Sequence, residues 1–330
     1  MQILRLIRNA LAPLTLLGAV AAFLEPRLFL VFKDWFLWLF AATMFALGVV
    51  LEPVEFWDAL KKPKEIALGL LTQFTVMPVL GFFAAYLSPL EPGIALGFVI
   101  VGCAPGAMAS NVIVFLAGGA VAYSIALTSF ATLLSPVVTP GLVELLGGVF
   151  LPIPFWPMML TILKVVLLPL IFGMVVRRSL GARLQAAKEI APVVAVISIV
   201  VIIGYAVAAN QERIGSVGWL IFGLVVVVNG LGFLAGWYLA RLYGFDRRYQ
   251  LALMIEIGMQ NAGLGVALAL EHFSTETALP GALFATWCVL TGAGATTYLR
   301  WKGNRLSVNG DRSSGEVEEP PNHMNTTRYW

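Results

Sequence analysis

Long apolar runs, separated by short clusters of charged residues, constrain this chain more than any other feature. A bilayer core about 30 Å thick needs about 20 helical residues, and only helices or closed barrels satisfy their backbone in lipid. The runs are long and show no alternation of polar and apolar residues, so they predict membrane helices. Ten spans are predicted, near residues 10–31, 35–51, 65–88, 93–117, 121–147, 156–178, 190–209, 216–241, 247–271 and 278–300.

The composition agrees with a membrane protein and excludes other classes. The sequence is 59% hydrophobic and 12% charged, whereas an average soluble domain is about 25% charged. A net charge of +3 without a basic stripe gives no reason to expect nucleic acid as a partner. Cys103 and Cys288 lie inside apolar runs and form no metal-binding pattern, so we interpret them as packing residues. Membrane lipid and a small solute are the partners expected.

The positive charges predict the orientation. With a cytoplasmic N terminus, fifteen of the Lys and Arg residues near the spans fall inside and three fall outside, as the positive-inside rule requires. Ten spans then leave both termini in the cytoplasm, and the expected location is the cell inner (plasma) membrane. The count needs the first span to stay in the protein, although Ala10–Leu24 also resembles a secretory signal peptide. The polar tail 302–330 is predicted to be disordered.

Two of the predicted spans are interrupted by helix-breaking and polar residues. The fourth contains Gly102-Cys103-Ala104-Pro105-Gly106 followed by Ser110-Asn111, and the ninth contains Glu256-Ile257-Gly258-Met259-Gln260-Asn261. Asn111 and Asn261 are 150 positions apart, and each interruption falls in the fourth span of a five-span half. Five is odd, so the second half must cross the membrane in the opposite sense, as in the inverted repeats of secondary transporters. The repeats are predicted over about 10–147 and 156–301, within one transporter domain of residues 1–301.

Interrupted helices at matching positions point to a binding site near the middle of the membrane. A broken helix frees carbonyl oxygens for a cation and exposes a helix N-terminus that favours an anion. Gly and Pro are also common in membrane helices simply because small residues let helices pack closely. The carboxylate and amides that accompany both interruptions favour the functional interpretation.

Glu256 lies near the centre of its span, where an acidic side chain costs about 2.5 to 3.5 kcal/mol on insertion scales. Its partner is therefore a proton, a buried cation such as Lys164, or bound metal ions. Oxygen-bearing side chains occur near both interruptions, and Ser124 and Thr128 are four residues apart on one helix face. Each of them also has the ordinary alternative of bonding to its own helix backbone. The oxygen-bearing candidates are Ser110, Asn111, Ser124, Thr128, Gln260 and the isolated amide Gln73.

These sequences resemble the bile acid:sodium symporter family over about residues 10–301. The resemblance rests on the fourth-span sequence through Val112, on Ser124 and Thr128 leading to Leu134-Ser135-Pro136, on residues 256–261, and on Ala278-Leu279-Pro280-Gly281-Ala282-Leu283-Phe284. It implies an all-α fold of ten spans with a panel domain and a core domain. The broken helices 4 and 9 would cross at the midplane.

The resemblance also implies two sodium ions. The first site would use side chains of Ser110, Asn111, Ser124, Thr128 and Glu256. The second would use Gln73, Glu256 and Gln260 with backbone oxygens of Ile257 and Met259. Every side chain expected at both sites is of the right type here, so sodium is preferred to a proton and Glu256 would be shared.

The substrate contacts are less complete than the ion sites. Bacterial members tend to have threonine where this chain has Met108, and Trp-His-Asn where it reads Trp287-Cys288-Val289. Asn261 and Thr291 remain as polar candidates beside Met108 and Cys288. A bile acid-like molecule or a small carboxylate such as pantoate or a 2-oxo acid is expected.

The function predicted is sodium-coupled import of an organic anion by alternating access. The alternative is a proton-coupled or exchange-type carrier of the same fold, in which Glu256 titrates. An enzyme is not expected, because no Ser/His, Asp/Asp or metal-binding pair stands at helical spacing.

Overall fold

The computed structural model describes residues 11–51, 62–292 and 294 of the chain. The end of the tenth predicted span, the tail 302–330 and both termini lie outside the described residues. Throughout the described part the secondary structure is helical, apart from one isolated antiparallel bridge between Gly106 and Gln260.

Twelve helices of eight or more residues lie in the described part of the chain, which also contains a short helix at Arg27–Leu30 and 3-10 turns at Gly181–Arg183 and Thr275–Ala278. Prolines begin α3 and α4, where the missing N–H is harmless because the first turn has no intrahelical acceptor. Gly118 and Gly244 have φ angles of 72° and 75° after α5 and α9, a conformation that glycine adopts without strain. The helices are α1 Leu11–Leu24, α2 Phe36–Val50, α3 Pro63–Tyr86, α4 Pro92–Cys103, α5 Ala109–Leu116, α6 Val121–Gly147, α7 Phe155–Ser179, α8 Leu184–Ala208, α9 Gln211–Leu242, α10 Arg247–Gly258, α11 Ala262–His272 and α12 over 279–292.

Five of these helices are long and apolar enough to cross a membrane: α3, α6, α7, α8 and the part of α9 from Gly218. Four shorter apolar helices are α1, α2, α4 and α11. Their lengths agree with a multi-pass membrane protein, and the expectation of an all-helical chain is confirmed over the described residues. The first helix is shorter than the predicted span because it ends at Leu24, before Pro26.

The helices pack in two groups. In the first, α2 lies against α7 and α8, and α8 also lies against α1. A Cβ added at Gly48 would lie 3.1 Å from the Cα of Gly173, so α2 and α7 touch backbone to backbone. The second group contains α3 to α6 and α9 to α12, with α3 against α4 and α9 against α10. The site described below lies in the second group.

Candidate functional site

Two short connections meet at the centre of the second group. One joins α4 to α5 and the other joins α10 to α11, so both coincide with the interruptions seen in the sequence. The N–H of Ala107 donates to the carbonyl of Met259 at 2.8 Å, and the N–H of Asn261 donates to the carbonyl of Pro105 at 2.8 Å. Four helix ends are therefore held together by a pair of backbone hydrogen bonds.

The two donors of these hydrogen bonds are the same number of positions apart as the two acceptors. Ala107 precedes Asn261 by 154 positions, and Pro105 precedes Met259 by the same 154. This is the ordinary hydrogen-bond pattern of an antiparallel bridge, here between Gly106 and Gln260.

Glu256 lies near the end of α10, 1% exposed, and three hydroxyl groups donate to its carboxylate. Ser110 donates to Oε2 at 2.5 Å, and Ser124 donates to the same oxygen at 2.9 Å. Thr128 donates to Oε1. Ser110 comes from the first turn of α5, whereas Ser124 and Thr128 share a face of α6, so three helices build this cluster.

A glycine lies directly opposite the carboxylate. A Cβ added at Gly106 would lie 3.1 Å from Cδ of Glu256 and closer still to its Oε1. Gly106 therefore lets the connection between α4 and α5 lie directly against the carboxylate. This close approach explains a glycine in the first interruption beyond its effect on helix propensity.

The cluster has more acceptor oxygens than protons to fill them. Each hydroxyl has one proton to donate, yet Ser124 also lies 2.7 Å from Oδ1 of Asn111, and Thr128 lies 2.9 Å from the carbonyl of Ser124. Ser110 lies 2.6 Å from the carbonyl of Ala107. Such a surplus of hard oxygen around a buried negative charge suits an alkali cation.

Gln73 forms a second polar centre on the neighbouring side of the crossing. Its Nε2 donates to Oε1 of Gln260 at 2.8 Å and to the carbonyl of Ala104 at 3.1 Å. Nε2 of Gln260 in turn donates to the carbonyl of Ile257 at 2.9 Å. Oε1 of Gln73 is buried and has no hydrogen-bond partner, which is costly unless a ligand approaches it.

The five residues predicted for the first ion site all meet around Glu256. Of the residues predicted for the second, Gln73, Gln260 and Ile257 are joined by hydrogen bonds, while the carbonyl of Met259 accepts from Ala107. The carboxylate of Glu256 turns toward the hydroxyl cluster and not toward the two glutamines.

The residues predicted for substrate lie around the two helix starts and on α12. Asn261 precedes α11, where its Oδ1 accepts from the N–H of Leu264 at 3.2 Å. Met108 precedes α5 and is half-buried. Cys288 is buried, with Sγ 3.5 Å from the carbonyl of Ala285. Thr291 bonds to Asn229 at 2.9 Å, so its hydroxyl is already engaged.

Two buried polar residues near the crossing have no counterpart in the sequence prediction. Thr139 of α6 donates to the carbonyl of Cys103 at 2.9 Å, and Asn229 of α9 donates to the carbonyl of Gly258 at 2.7 Å. Cys103 and Gly258 are the last residues of α4 and α10. An amide inside the apolar run of α9 was the available signal for Asn229, since isolated polar residues in such runs are costly.

Lys164 is not the partner of Glu256. It lies exposed on α7, in a π-helical turn over Leu163–Leu167, whereas the carboxylate bonds to hydroxyl groups. Across the described residues, no group of three or more His, Cys, Asp or Glu side chains could hold a metal ion. The oxygen cluster therefore differs in kind from a zinc or copper site.

Comparison with known proteins places this chain in a class of membrane transporters. Residues 37–217 match the model of the Sodium Bile acid symporter family. The chain belongs to this family, as the sequence resemblance predicted.

The relatives are named as sodium-dependent transporters. The chain is 40% identical to the uncharacterized sodium-dependent transporter YocS of Bacillus subtilis (strain 168), over 90% of this chain and 92% of that protein. It is 32% identical to the probable sodium/metabolite cotransporter BASS1, chloroplastic, of Arabidopsis thaliana, over 81% of this chain and 67% of that protein. These names confirm the expectation of a transporter rather than an enzyme, and they agree with sodium coupling and a small-molecule substrate.

Proposed function

We propose that this protein is a sodium-coupled symporter that imports a small organic anion by alternating access. The observation that carries the proposal is the oxygen cluster around Glu256, where a buried carboxylate and its neighbours offer more acceptors than protons. A sodium ion there would balance the negative charge and satisfy the surplus oxygens. Relatives that are named as sodium-dependent transporters or sodium/metabolite cotransporters support the same ion.

A second sodium ion is proposed beside Gln73 and Gln260. The unpartnered Oε1 of Gln73 supports it, because a buried amide oxygen gains most from a cation. The carbonyls of Ile257 and Met259 and the carboxylate of Glu256 would complete this site after small rotations. Glu256 would then be shared, so binding of one ion would favour binding of the other.

The anion would bind on the exposed side of the crossing, near Asn261 and Met108. The N-termini of α5 and α11 converge there, and their partial positive charge favours a carboxylate. Thr291 and Cys288 of α12 would lie behind this site rather than in it. A small carboxylate such as pantoate or a 2-oxo acid fits these contacts better than a polyanion, because Asn261 and Met108 carry no positive charge.

The proposed architecture is ten spans in two inverted halves. The spans cross the inner membrane, and both termini lie in the cytoplasm. The pair α4 and α5 would form one broken span, and the pair α10 and α11 another. The first helix group, α1, α2, α7 and α8, would form the panel. The second group would form the core, which moves against the panel to carry the anion across.

The test is uptake of a panel of radiolabelled carboxylates into proteoliposomes at fixed pH, with sodium or choline outside. We expect a carboxylate to accumulate in the vesicles when sodium is outside but not when choline is. We expect Glu256→Gln to abolish this accumulation, because the change removes the charge but keeps the shape of the side chain. Glu271→Gln is the matched control, since Glu271 is an exposed carboxylate on α11. Undiminished sodium-driven uptake by Glu256→Gln would contradict the proposal. Uptake in choline after a pH gradient is imposed across the vesicle membrane would favour the proton-coupled carrier.

A further inference from the structure

Asn229 is an amide in the middle of α9 whose two polar atoms are both engaged. The side chain is 1% exposed and lies in an apolar stretch of a 32-residue helix. Its Nδ2 donates to the carbonyl of Gly258 at 2.7 Å. Its Oδ1 lies 2.9 Å from the hydroxyl of Thr291, closer than the carbonyls of Trp287 and Cys288, which lie 3.1 Å from that hydroxyl. Asn229 therefore connects the end of α10 to α12.

The face of α9 that carries Asn229 lies directly against the last turns of α10. A Cβ added at Gly236 would lie 2.9 Å from the carbonyl of Leu253, and one added at Gly232 would lie 3.3 Å from the carbonyl of Ile257. Residues 229, 232 and 236 share one helix face, because they follow one another at spacings of three and four residues. The two glycines bring the backbones together, and the amide then reaches the carbonyl at the helix end.

On the other side of this segment, α12 lies against Met259, the residue that follows Gly258. A Cβ added at Gly292 would lie 2.8 Å from the sulfur of Met259, and Gly292 comes directly after Thr291. Asn229 of α9 and Gly292 of α12 thus contact the segment Ile257–Met259 from two sides, and Thr291 reaches it through Asn229. This segment supplies both backbone oxygens of the proposed second sodium site.

Gln73 provides an informative contrast. Its Nε2 also donates to a carbonyl at a helix end, that of Ala104 at 3.1 Å, so both amides satisfy a carbonyl released where a helix stops. The oxygen of Gln73, however, is buried without a partner, whereas the oxygen of Asn229 is bonded to Thr291. Gln73 has an oxygen to offer a cation, and Asn229 has none.

We propose that Asn229, held in place by Thr291, is a positioning residue that sets the sodium affinity of the second site. By fixing the carbonyl of Gly258, it fixes the peptide planes on either side and so aims the oxygens of Ile257 and Met259. Partners of metal ligands typically change metal affinity by about 10- to 100-fold when they are removed. This inference rests on the proposed sodium symport.

The experiment measures sodium binding to the purified full-length protein as thermal stabilisation. Sodium chloride replaces choline chloride at constant ionic strength, and the sodium concentration for half-maximal stabilisation is compared between variants. We expect Asn229→Ala and Thr291→Val to raise this concentration about tenfold or more. Thr291→Ser keeps the hydroxyl and is expected to stay within about twofold of the unmodified protein, since only a methyl is lost.

Asn210→Ala is the matched control for general destabilisation. Asn210 is equally buried, at 2% exposed, and its Nδ2 donates to the carbonyls of Ala206 and Thr275 at 2.8 Å, away from the crossing. We expect this change to lower the melting temperature in choline while leaving the half-maximal sodium concentration unaltered.

The outcomes separate the inference from the function on which it rests. If the unmodified protein responds to sodium but Asn229→Ala and Thr291→Val respond at the same concentration, the positioning role is wrong and the symporter stands. If the unmodified protein shows no sodium response, the sodium symport itself fails and the inference with it. Should Asn229→Ala not fold, the comparison of Thr291→Val with Thr291→Ser decides the question.

Discussion

Glu256 shows how a single buried charge determines the character of its surroundings. Removing an ion from water costs several kcal/mol even after the protein relaxes, and each hydrogen bond to a charged group returns about 1.5 to 3 kcal/mol. Three hydroxyl donors from α5 and α6 supply part of this compensation. They are neutral, so the negative charge itself still needs a positive partner, which is the role proposed for sodium.

Replacement of Thr128 by valine tests this cluster at the residue scale. Thr128→Val keeps the shape but removes the hydroxyl that donates to Glu256, so we expect the sodium concentration for half-maximal uptake to rise about tenfold or more. Thr132→Val is the control, because Thr132 lies one turn later and donates only to the carbonyl of Thr128. Equal effects of both changes in a sodium titration of uptake would count against a ligand role for Thr128.

Gln73→Leu tests whether two ions bind together. The change removes the buried oxygen that lacks a partner and leaves the hydroxyl cluster in place. With two coupled sites, the Hill coefficient for sodium in the uptake assay lies between about 1 and 2. We expect it to fall to about 1 in Gln73→Leu, because the coefficient cannot exceed the number of coupled sites. Gln211→Leu is the control, since the half-buried Gln211 at the start of α9 bonds to the carbonyl of Phe23, away from the crossing, and this change should leave the coefficient unaltered. An unaltered coefficient in Gln73→Leu would contradict an ion at this position.

At the scale of elements, the connection between α4 and α5 depends on a glycine as well as on hydrogen bonds. Gly106→Ala would push a methyl group into the carboxylate of Glu256, so we expect loss of sodium-dependent thermal stabilisation in the purified protein. Gly141→Ala in α6 is the control, since the added Cβ would have only an atom of Phe155 at 3.8 Å. That control should keep its sodium response and gain up to about 1 kcal/mol of stability. A normal sodium response in Gly106→Ala would show that the close approach is not required.

The two short helices that follow the connections have different surroundings. Seven of the eleven residues of α11 are buried, and the helix packs against α2, α7 and α8 of the first group as well as against α4. In contrast, α5 packs mainly against α6 and α10, and Val112 on its surface is 41% exposed. The two helix groups are therefore closed against each other on the α11 side and more open on the α5 side.

This asymmetry gives a prediction for the whole molecule. His272 at the end of α11 lies 3.0 Å from the hydroxyl of Thr161 on α7, measured from Nε2 to Oγ1, so the contact joins the two groups. If the groups move during transport, linking Thr161→Cys to His272→Cys with a short bis-methanethiosulfonate should abolish uptake, and a reducing agent should restore it. Native Cys103 and Cys288 are buried and should not react.

The single-cysteine variants serve as controls for this experiment. Each should retain uptake after the same treatment, because one thiol cannot bridge the groups. Full uptake by a completely cross-linked double variant would contradict movement at this contact. Sodium-dependent stabilisation should survive the link, since the oxygen cluster lies within the second group alone.

Much of the site followed from the sequence because its chemistry is unusual for the middle of an apolar run. Glu256, Ser110 and Asn111 are recognisable from residue type alone, and the spacing of Ser124 and Thr128 predicts a shared helix face. The stops of α4 and α10 follow from the helix-breaking residues of the interruptions. Asn229 and Thr139 were missed, since a buried amide or hydroxyl in a helix has an ordinary alternative in its own backbone.

The sequence by itself determined that this chain is a helical membrane protein with two interrupted helices and a carboxylate that needs a partner. Apolar length, helix breakers and residue type are local properties, and they act wherever the segment lies. Only the tertiary structure decided which oxygens face Glu256, that Lys164 does not, and that the two connections pair through Gly106 and Gln260. Those facts depend on how α3, α6 and α9 pack around the crossing, and packing between distant segments is not a property of any one of them.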